Sequence, residues 1–159
     1  VLACLRGIAV GGGLELALHA DRRFAARDAR IGQPEINIAF IPPVAGTQAL
    51  VRLIGRSAAF KMLASGALMD AATALDIGLV DEVHEAGDVE AAAQAYGETL
   101  AKMPANALAA IRRCLSEGGD AAWVDGLAVE AREAAALADH PNFREGLSAF
   151  LDKRRPDWR

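Results

Sequence analysis

Hydrophobic and polar positions near the start of the chain predict a strand, a glycine turn and a helix. The segment VLACLRGIAV, residues 1–10, is apolar and rich in strand-forming residues, which is typical of a buried strand. Three consecutive glycines, Gly11 to Gly13, end that strand. The following LELALHA carries helix formers, with Leu14, Ala17 and Leu18 on one face. We therefore predict a sharp turn from strand into helix at the glycines.

The middle of the chain combines short strands with helices. RRFAAR predicts a second strand, and RIGQPEINIAF predicts an extended segment held open around Pro34. A helical pattern begins at AGTQALVRLIG and continues through SAAFKMLASG and DAATALDIG. LVDEVH predicts a last strand.

The last third of the chain predicts helices. One follows Asp88, a good N-cap residue, through VEAAAQAYGETLAKM and ends before Pro104. Each of three further segments carries an apolar stripe: ALAAIRRCL, AAWVDGLAVEAREAAALA and NFREGLSAFLDKRR. We predict an α/β fold whose α/β layer occupies residues 1–87 and whose helical region occupies residues 88–159.

Composition excludes several classes of protein. The 159 residues are 53% hydrophobic and 24% charged, which is enough to build a core. A net charge of −4 and a pI near 5.4 lack the basic field that nucleic acids require. No apolar run approaches the roughly 20 residues of a membrane span. We therefore expect neither a nucleic-acid nor a membrane partner.

The two cysteines indicate the cellular compartment of the protein, and the first residue indicates whether the sequence has an upstream segment. Cys4 and Cys114 lie far apart without metal-ligand or disulfide-framework spacing, so we expect no metal site and a reducing cytoplasm. Because Val1 begins what reads as a buried strand, and no Met precedes it, we also expect an upstream segment.

The glycine turn is a candidate oxyanion site. The first N–H groups of a helix have no intrahelical partner and point toward nearby negative charge. Glycine also lets a carbonyl group approach the backbone closely. A dinucleotide-binding GxGxxG pattern is excluded because position 16 is Leu, and a P-loop is excluded because its Lys-Ser/Thr is absent.

Two glutamates can supply proton transfer near this turn. Glu15 follows Gly12 by three residues and shares a helix face with it, although acids in a first turn commonly just complement the helix dipole. Glu35 follows Pro34 in an apolar stretch, where a desolvated carboxylate indicates a function. Its apolar neighbours are expected to be buried: Ile36, Ile38, Phe40 and Ile41. Two carboxylates flanking one cleft can move protons beside a polarised carbonyl.

In the order and spacing of these motifs, the sequence resembles the crotonase family, the enoyl-CoA hydratase/isomerase superfamily. Five segments carry the resemblance: RGIAVGGGLELALHAD, ARIGQPEINIAFIP, GTQALVRLIGRSAAFKML, DAATALDIGLVDEV and the terminal FLDKRRP. The GGGxE element followed by GQPE is specific, and the basic terminal helix is a weaker signal. The resemblance implies a crotonase-like ββα spiral whose N-terminal part is missing, with a C-terminal helical trimerisation region.

The resemblance also implies roles for individual residues. Gly12 would donate its N–H to the thioester oxygen of an acyl-CoA substrate. Glu15 and Glu35 match the two catalytic carboxylates, which in hydratases hold a water and supply a proton across the 2,3-double bond. Phe150 and Lys153 match positions that meet the nucleotide end of CoA on a neighbouring subunit, although an apolar anchor and a solvated charge fit them equally well.

The resemblance further implies a homotrimer or a dimer of trimers. It implies no separate cofactor, since CoA is part of the substrate.

The choice of reaction stays open at this stage. Isomerases of this family commonly use the carboxylate at the Glu35 position alone, so the presence of Glu15 favours hydration. The chain reads IPPVAGTQ where many hydratases read IPGAGGTQ, and Pro43 has no N–H for a water or a helix N-terminus. Proline is nonetheless tolerated in the first turn of a helix. A truncated, non-catalytic subunit is a further alternative, since the family's N-terminal half supplies the other oxyanion donor.

Overall fold

The first four strands of the chain alternate between two sheets. The computed structural model describes residues 1–158, and its first elements are β1 (Leu2–Leu5), β2 (Ile8–Val10), α1 (Gly12–Leu18), β3 (Arg22–Ala26) and β4 (Arg30–Gly32). β1 pairs in parallel with β3, and β2 pairs in parallel with β4. Each of these two pairs of consecutive strands therefore adds one strand to each sheet, as in a spiral.

The remaining elements of the first unit, Val1–Gly97, complete both sheets. They are α2 (Gly46–Ser65), β5 (Met69–Asp70), α3 (Ala71–Asp76), β6 (Glu82–His84) and α4 (Val89–Leu100). Within residues 1–158 the two sheets have the strand orders β1-β3-β6 and β2-β4-β5. Only the β4–β5 pair is antiparallel among these neighbours. α2 is interrupted at Gly55, whose φ of 76° is non-helical.

The core of this unit lies around β3, the central strand of its sheet. From Arg23 to Ala26 every residue of β3 is buried, as expected for a strand covered on both faces. Fully buried side chains from four other elements and one loop complete the core: Leu14, Ile31, Leu50, Leu79 and Val89. Burying one such large aliphatic side chain contributes roughly 1.5–3 kcal/mol to folding.

The prediction of a single buried strand over residues 1–10 is wrong. Gly7 has a φ of +60° and turns the chain, so that β1 and β2 belong to different sheets. Within the two strands only Leu5 and Ala9 are buried. β5 was not predicted, since a strand of two residues leaves no periodic signal.

The second unit begins at Glu98, within α4. The boundary falls there because Val89 and Ala93 are buried in the core of the first unit. The described part of the second unit contains α5 (Ala105–Arg113), a π-helical segment (Cys114–Gly118), α6 (Trp123–Ala138) and α7 (Pro141–Leu151). No helix within residues 1–158 is long and apolar enough to cross a membrane.

A buried carboxylate joins two of these helices. The Arg113 side chain donates to Oε2 of Glu133 with an Nη2–Oε2 distance of 2.6 Å, and Arg132 donates to Oε1. The hydrogen bond from Arg113 lowers the pKa of the Glu133 carboxyl below its ordinary value. α5 and α6 are therefore linked by an ion pair as well as by apolar contacts.

A buried arginine of β3 forms hydrogen bonds with the segment that leads into β6. Arg23 is 4% exposed, and its side chain donates to the carbonyl oxygens of Ala20 and Leu79, each at 2.9 Å. Its guanidinium and its backbone N–H both donate to Oδ2 of Asp81. The buried charge is therefore paired and hydrogen-bonded, as a charge in this environment must be.

The start of α2 is held by a side chain from α1. Ala45, at the N-cap position, has no side-chain oxygen to offer the first N–H groups of the helix. Oε1 of Glu15 accepts the N–H groups of Val44 at 2.6 Å and Gly46 at 3.0 Å instead. Glu15 therefore supplies the cap from another element of the fold.

Replacing Arg23 by Met is expected to lower the free energy of unfolding by about 3 kcal/mol, because it leaves buried carbonyl groups and Asp81 without their partner. Urea denaturation measures the change. The control is Arg27→Met, since Arg27 pairs with Glu85 on the exposed surface and its loss should leave the midpoint unchanged. Equal effects of the two substitutions would contradict the role assigned to Arg23.

Replacing Glu15 by Ala is expected to lower the free energy of unfolding by about 2 kcal/mol, because two backbone N–H groups lose their acceptor. Glu15→Gln keeps an oxygen at nearly the same place and should cost clearly less. Urea denaturation of the two variants checks this difference. If the wild type and both variants had the same midpoint, the cap on α2 would contribute nothing to stability.

Candidate active site

The glycine turn and Glu35 follow the ends of two neighbouring parallel strands. Val10 ends β2 and lies opposite Gly32, which ends β4. The N–H of Gly11 donates to the carbonyl oxygen of Gly32 at 3.3 Å. Because the carboxyl ends of parallel strands meet at one edge of a sheet, this pairing brings the segment after β2 beside the segment after β4.

Glu15 is buried at this edge and fixed in orientation. Its side chain lies in the first turn of α1, and the residue is 1% exposed. One carboxylate oxygen, Oε1, accepts both N–H groups at the start of α2. A Cβ on Gly46 would lie only 2.8 Å from that oxygen, so the helix start approaches Glu15 as closely as glycine allows.

Glu35 lies against the glycine turn. It begins a short 3-10 helix (Glu35–Ile38) and is half-buried. A Cβ on Gly11 would lie 2.9 Å from its Oε1, which places the carboxylate directly on the backbone of the turn. Oε2 is buried and has no hydrogen-bond partner among residues 1–158. The two glutamates therefore differ, because Oε1 of Glu15 accepts two backbone N–H groups, whereas the buried Oε2 of Glu35 has no partner among residues 1–158.

Gly12 opens α1 at the same place. The hydrogen bond that closes the first turn runs from the N–H of Glu15 to the carbonyl oxygen of Gly11 at 2.9 Å, so the N–H of Gly12 precedes the intrahelical bonds. Gly12 is exposed, and a Cβ there would meet nothing within 4 Å. No side chain at position 12 stands in the way of a carbonyl group that approaches this exposed turn.

The expected burial around Glu35 is wrong. The structure exposes all four of its apolar neighbours: Ile36, Ile38, Phe40 and Ile41. The chain leaves β4 after Gly32 and winds into the 3-10 helix instead of continuing as an extended segment, which turns these side chains outward. Oε2 of Glu35 is nonetheless buried, and Oε1 lies against the glycine turn.

Pro43 lies before α2 and not in its first turn. The helix begins at Gly46, and Pro43 occupies the exposed turn that precedes it. The N–H groups that reach Glu15 come from the residues that follow, Val44 and Gly46. The absence of an N–H at Pro43 therefore does not affect the cap.

Phe150 and Lys153 belong to the second unit. Phe150 lies near the end of α7 with 78% of its surface exposed. Lys153 follows α7 in an exposed turn with a φ of +53°. Both side chains are accessible to a ligand.

Sequence reasoning missed several residues of this site. The donors to Glu15 lie 29 and 31 residues further along the chain, so no local pattern links them. Gln33 is fully buried, and neither polar atom of its side chain is paired within the described chain. The sequence did contain a signal for Gln33: a polar amide directly after a buried strand is unusual, and it could have marked this residue as part of the site.

Comparison with known proteins gives a consistent result. The family model for enoyl-CoA hydratase/isomerase matches residues 1–159. A probable enoyl-CoA hydratase of Bacillus subtilis (strain 168) is 34% identical over 160 residues, covering 100% of this chain and 62% of that protein. The 2,3-dehydroadipyl-CoA hydratase of Escherichia coli (strain K12) is 37% identical over 159 residues, with coverage of 100% and 62%.

A solved structure shows the same fold. The crystal structure of an enoyl-CoA hydratase from Geobacillus kaustophilus HTA426 superposes with a TM-score of 0.95 at 36% identity, covering 99% of this chain and 60% of that one. The chain thus spans about 60% of the length of these relatives. The predicted α/β, crotonase-like fold is confirmed. The chain belongs to the enoyl-CoA hydratase/isomerase family, the crotonase superfamily.

Proposed function

We propose that this chain carries the two carboxylates and one oxyanion donor of an enoyl-CoA hydratase. One observation supports this most directly: Glu35 rests on the glycine turn with Oε2 unengaged, while Glu15 is held in the first turn of α1. A fixed acceptor and a carboxylate with a free oxygen, beside an open backbone N–H, suit proton transfer next to a carbonyl.

The proposed reaction adds water across the 2,3-double bond of an acyl-CoA thioester. The water oxygen bonds to C3, and C2 takes up a proton, so that one water is consumed for each double bond. As the bond to C3 forms, negative charge moves onto the thioester oxygen, where the N–H of Gly12 stabilises it. Losing one such donor typically costs about 3 kcal/mol of transition-state stabilisation.

The two glutamates take different parts in this scheme. Glu15, fixed through Oε1, orients the attacking water. Glu35 transfers the proton through Oε2, because that oxygen is buried and has no partner in residues 1–158. Delta-isomerisation of an enoyl-CoA is the alternative, since moving a proton between two carbons needs Glu35 alone. A non-catalytic subunit of the same fold is the second alternative.

The exposed end of α7 supports a role in binding CoA. We propose that Phe150 packs on the nucleotide and that Lys153 pairs with a phosphate. Large apolar side chains exposed on the second unit also support assembly as a homotrimer or a dimer of trimers: Leu115, Trp123, Val124, Phe150 and Leu151. The free thiols of Cys4 and Cys114 are consistent with a reducing cytoplasm.

In the full-length gene product, Glu15→Gln and Glu35→Gln are each expected to lower kcat for crotonyl-CoA hydration by at least about 100-fold, because each removes a group that handles a proton or the water. Loss of the enoyl-thioester absorbance measures the rate. The control is Glu90→Gln, since Glu90 pairs with Arg6 outside the site.

The same variants separate the alternatives. Hydration at the wild-type rate in both Gln variants would refute the roles assigned to them. Conversion of 3-enoyl-CoA to 2-enoyl-CoA that requires Glu35 but survives Glu15→Gln would identify an isomerase. Binding of CoA esters without turnover of either substrate would identify a non-catalytic subunit.

Replacing Lys153 by Ala is expected to raise KM for crotonyl-CoA several-fold and leave kcat unchanged, because a phosphate contact far from the double bond contributes to binding only. The effect should shrink as salt rises. Lys102→Ala, at another exposed lysine, serves as the control. An unchanged affinity for CoA esters would exclude Lys153 from the binding site.

A further inference from the structure

The backbone of Gly11 has a conformation that only glycine adopts readily. Its φ of 54° and ψ of −132° lie outside the regions allowed to residues with a side chain. Its N–H donates to the carbonyl oxygen of Gly32, and its carbonyl oxygen accepts from the N–H of Glu15. The turn is therefore held from both sides, by the end of β4 and by the first turn of α1.

The carboxylate of Glu35 occupies the space beside this backbone. A Cβ on Gly11 would lie 2.9 Å from Oε1 and 3.9 Å from Cδ of Glu35, and no other atom would lie within 4 Å. The first distance is shorter than a Cβ tolerates, so a side chain at position 11 must displace the carboxylate. The next two glycines differ, because a Cβ on Gly12 or Gly13 would meet nothing within 4 Å.

The contact also determines which oxygen is left for chemistry. With Oε1 against Gly11, the buried Oε2 is the oxygen without a partner among the described residues. Rotating or withdrawing the carboxylate would move Oε2 from its buried position. The glycine at position 11 is thus required by the backbone of the turn, and it also leaves the space that the carboxylate of Glu35 occupies.

We propose that Gly11 is a positioning residue for Glu35, whose bare Cα seats Oε1 and so presents Oε2 to the substrate. The proposal rests on the proposed function and adds to it the group that sets the geometry of the proton-transferring carboxylate. Gly46 lies similarly close to Glu15. A Cβ on Gly46 would, however, lie 2.6 Å from Cβ of Pro42 and 2.8 Å from Oε1 of Glu15, so steric crowding by Pro42 is enough to require glycine there.

The test compares Gly11→Ala with Gly78→Ala in the full-length gene product. Gly11→Ala should lower kcat for crotonyl-CoA hydration by about 100-fold, as expected for a misplacement of about 1 Å, and should change KM little. Gly78→Ala should leave both constants unchanged, because Gly78 also has a positive φ, of 76°, but a Cβ there would meet nothing within 4 Å. Wild-type kcat in Gly11→Ala, with the protein folded, would overturn the proposal.

Ala at position 11 would strain the backbone whether or not it contacts Glu35. A second measurement, which does not depend on activity, separates the two effects. Thermal unfolding is measured for Gly11→Ala in the wild-type background and in a Glu35→Ala background. If the added methyl group strikes the carboxylate, its effect on Tm should be smaller when Glu35 is Ala. Equal shifts in the two backgrounds would show that only the backbone is strained and would overturn the proposal.

The two measurements also separate this proposal from the proposed function. A protein that hydrates no enoyl-CoA, or that keeps its rate in Glu35→Gln, refutes the function. Even if the function is refuted, a difference between the Tm shifts of Gly11→Ala in the wild-type and Glu35→Ala backgrounds still reports the contact between position 11 and Glu35. A non-additive Tm effect together with a loss of kcat in Gly11→Ala supports the positioning role.

Discussion

The hydrogen bonds from Val44 and Gly46 to Glu15 connect the parts of the molecule on which the site depends. They join the first turn of α1 to the start of α2, two elements that are separated by two strands and a 3-10 helix. A carboxylate that is 1% exposed needs such donors to remain buried at acceptable cost. The same side chain thereby supports the fold and stands at the candidate site.

The topology explains why this connection lies next to Glu35. The ββα repeat places β2 beside β4, and each strand ends at the same edge of the sheet. One strand leads into the glycine turn and the other into Glu35, so residues about 20 positions apart become neighbours without any long-range loop. The position of the candidate site follows from strand order before any catalytic side chain is considered.

Local signals in the sequence predicted much of this arrangement. The glycine turn, α1 and β3 follow from turn residues and apolar periodicity, which act over a few positions. The burial of Ile36 and Phe40 was predicted wrongly, because apolar content alone cannot distinguish a core segment from a surface 3-10 helix. The acceptor for Val44 could not be predicted, since it depends on a contact between distant elements.

The pairing of Val10 with Gly32 has a consequence for how the chain can vary in length. Side chains alternate along β4, so a shift of one position would exchange the inward and outward sets and bring Arg30 toward the core in place of Ile31. Insertions or deletions that shift this register are therefore expected to disrupt the sheet. Variation in loop length is better accommodated elsewhere, for example around the exposed turn at Pro43.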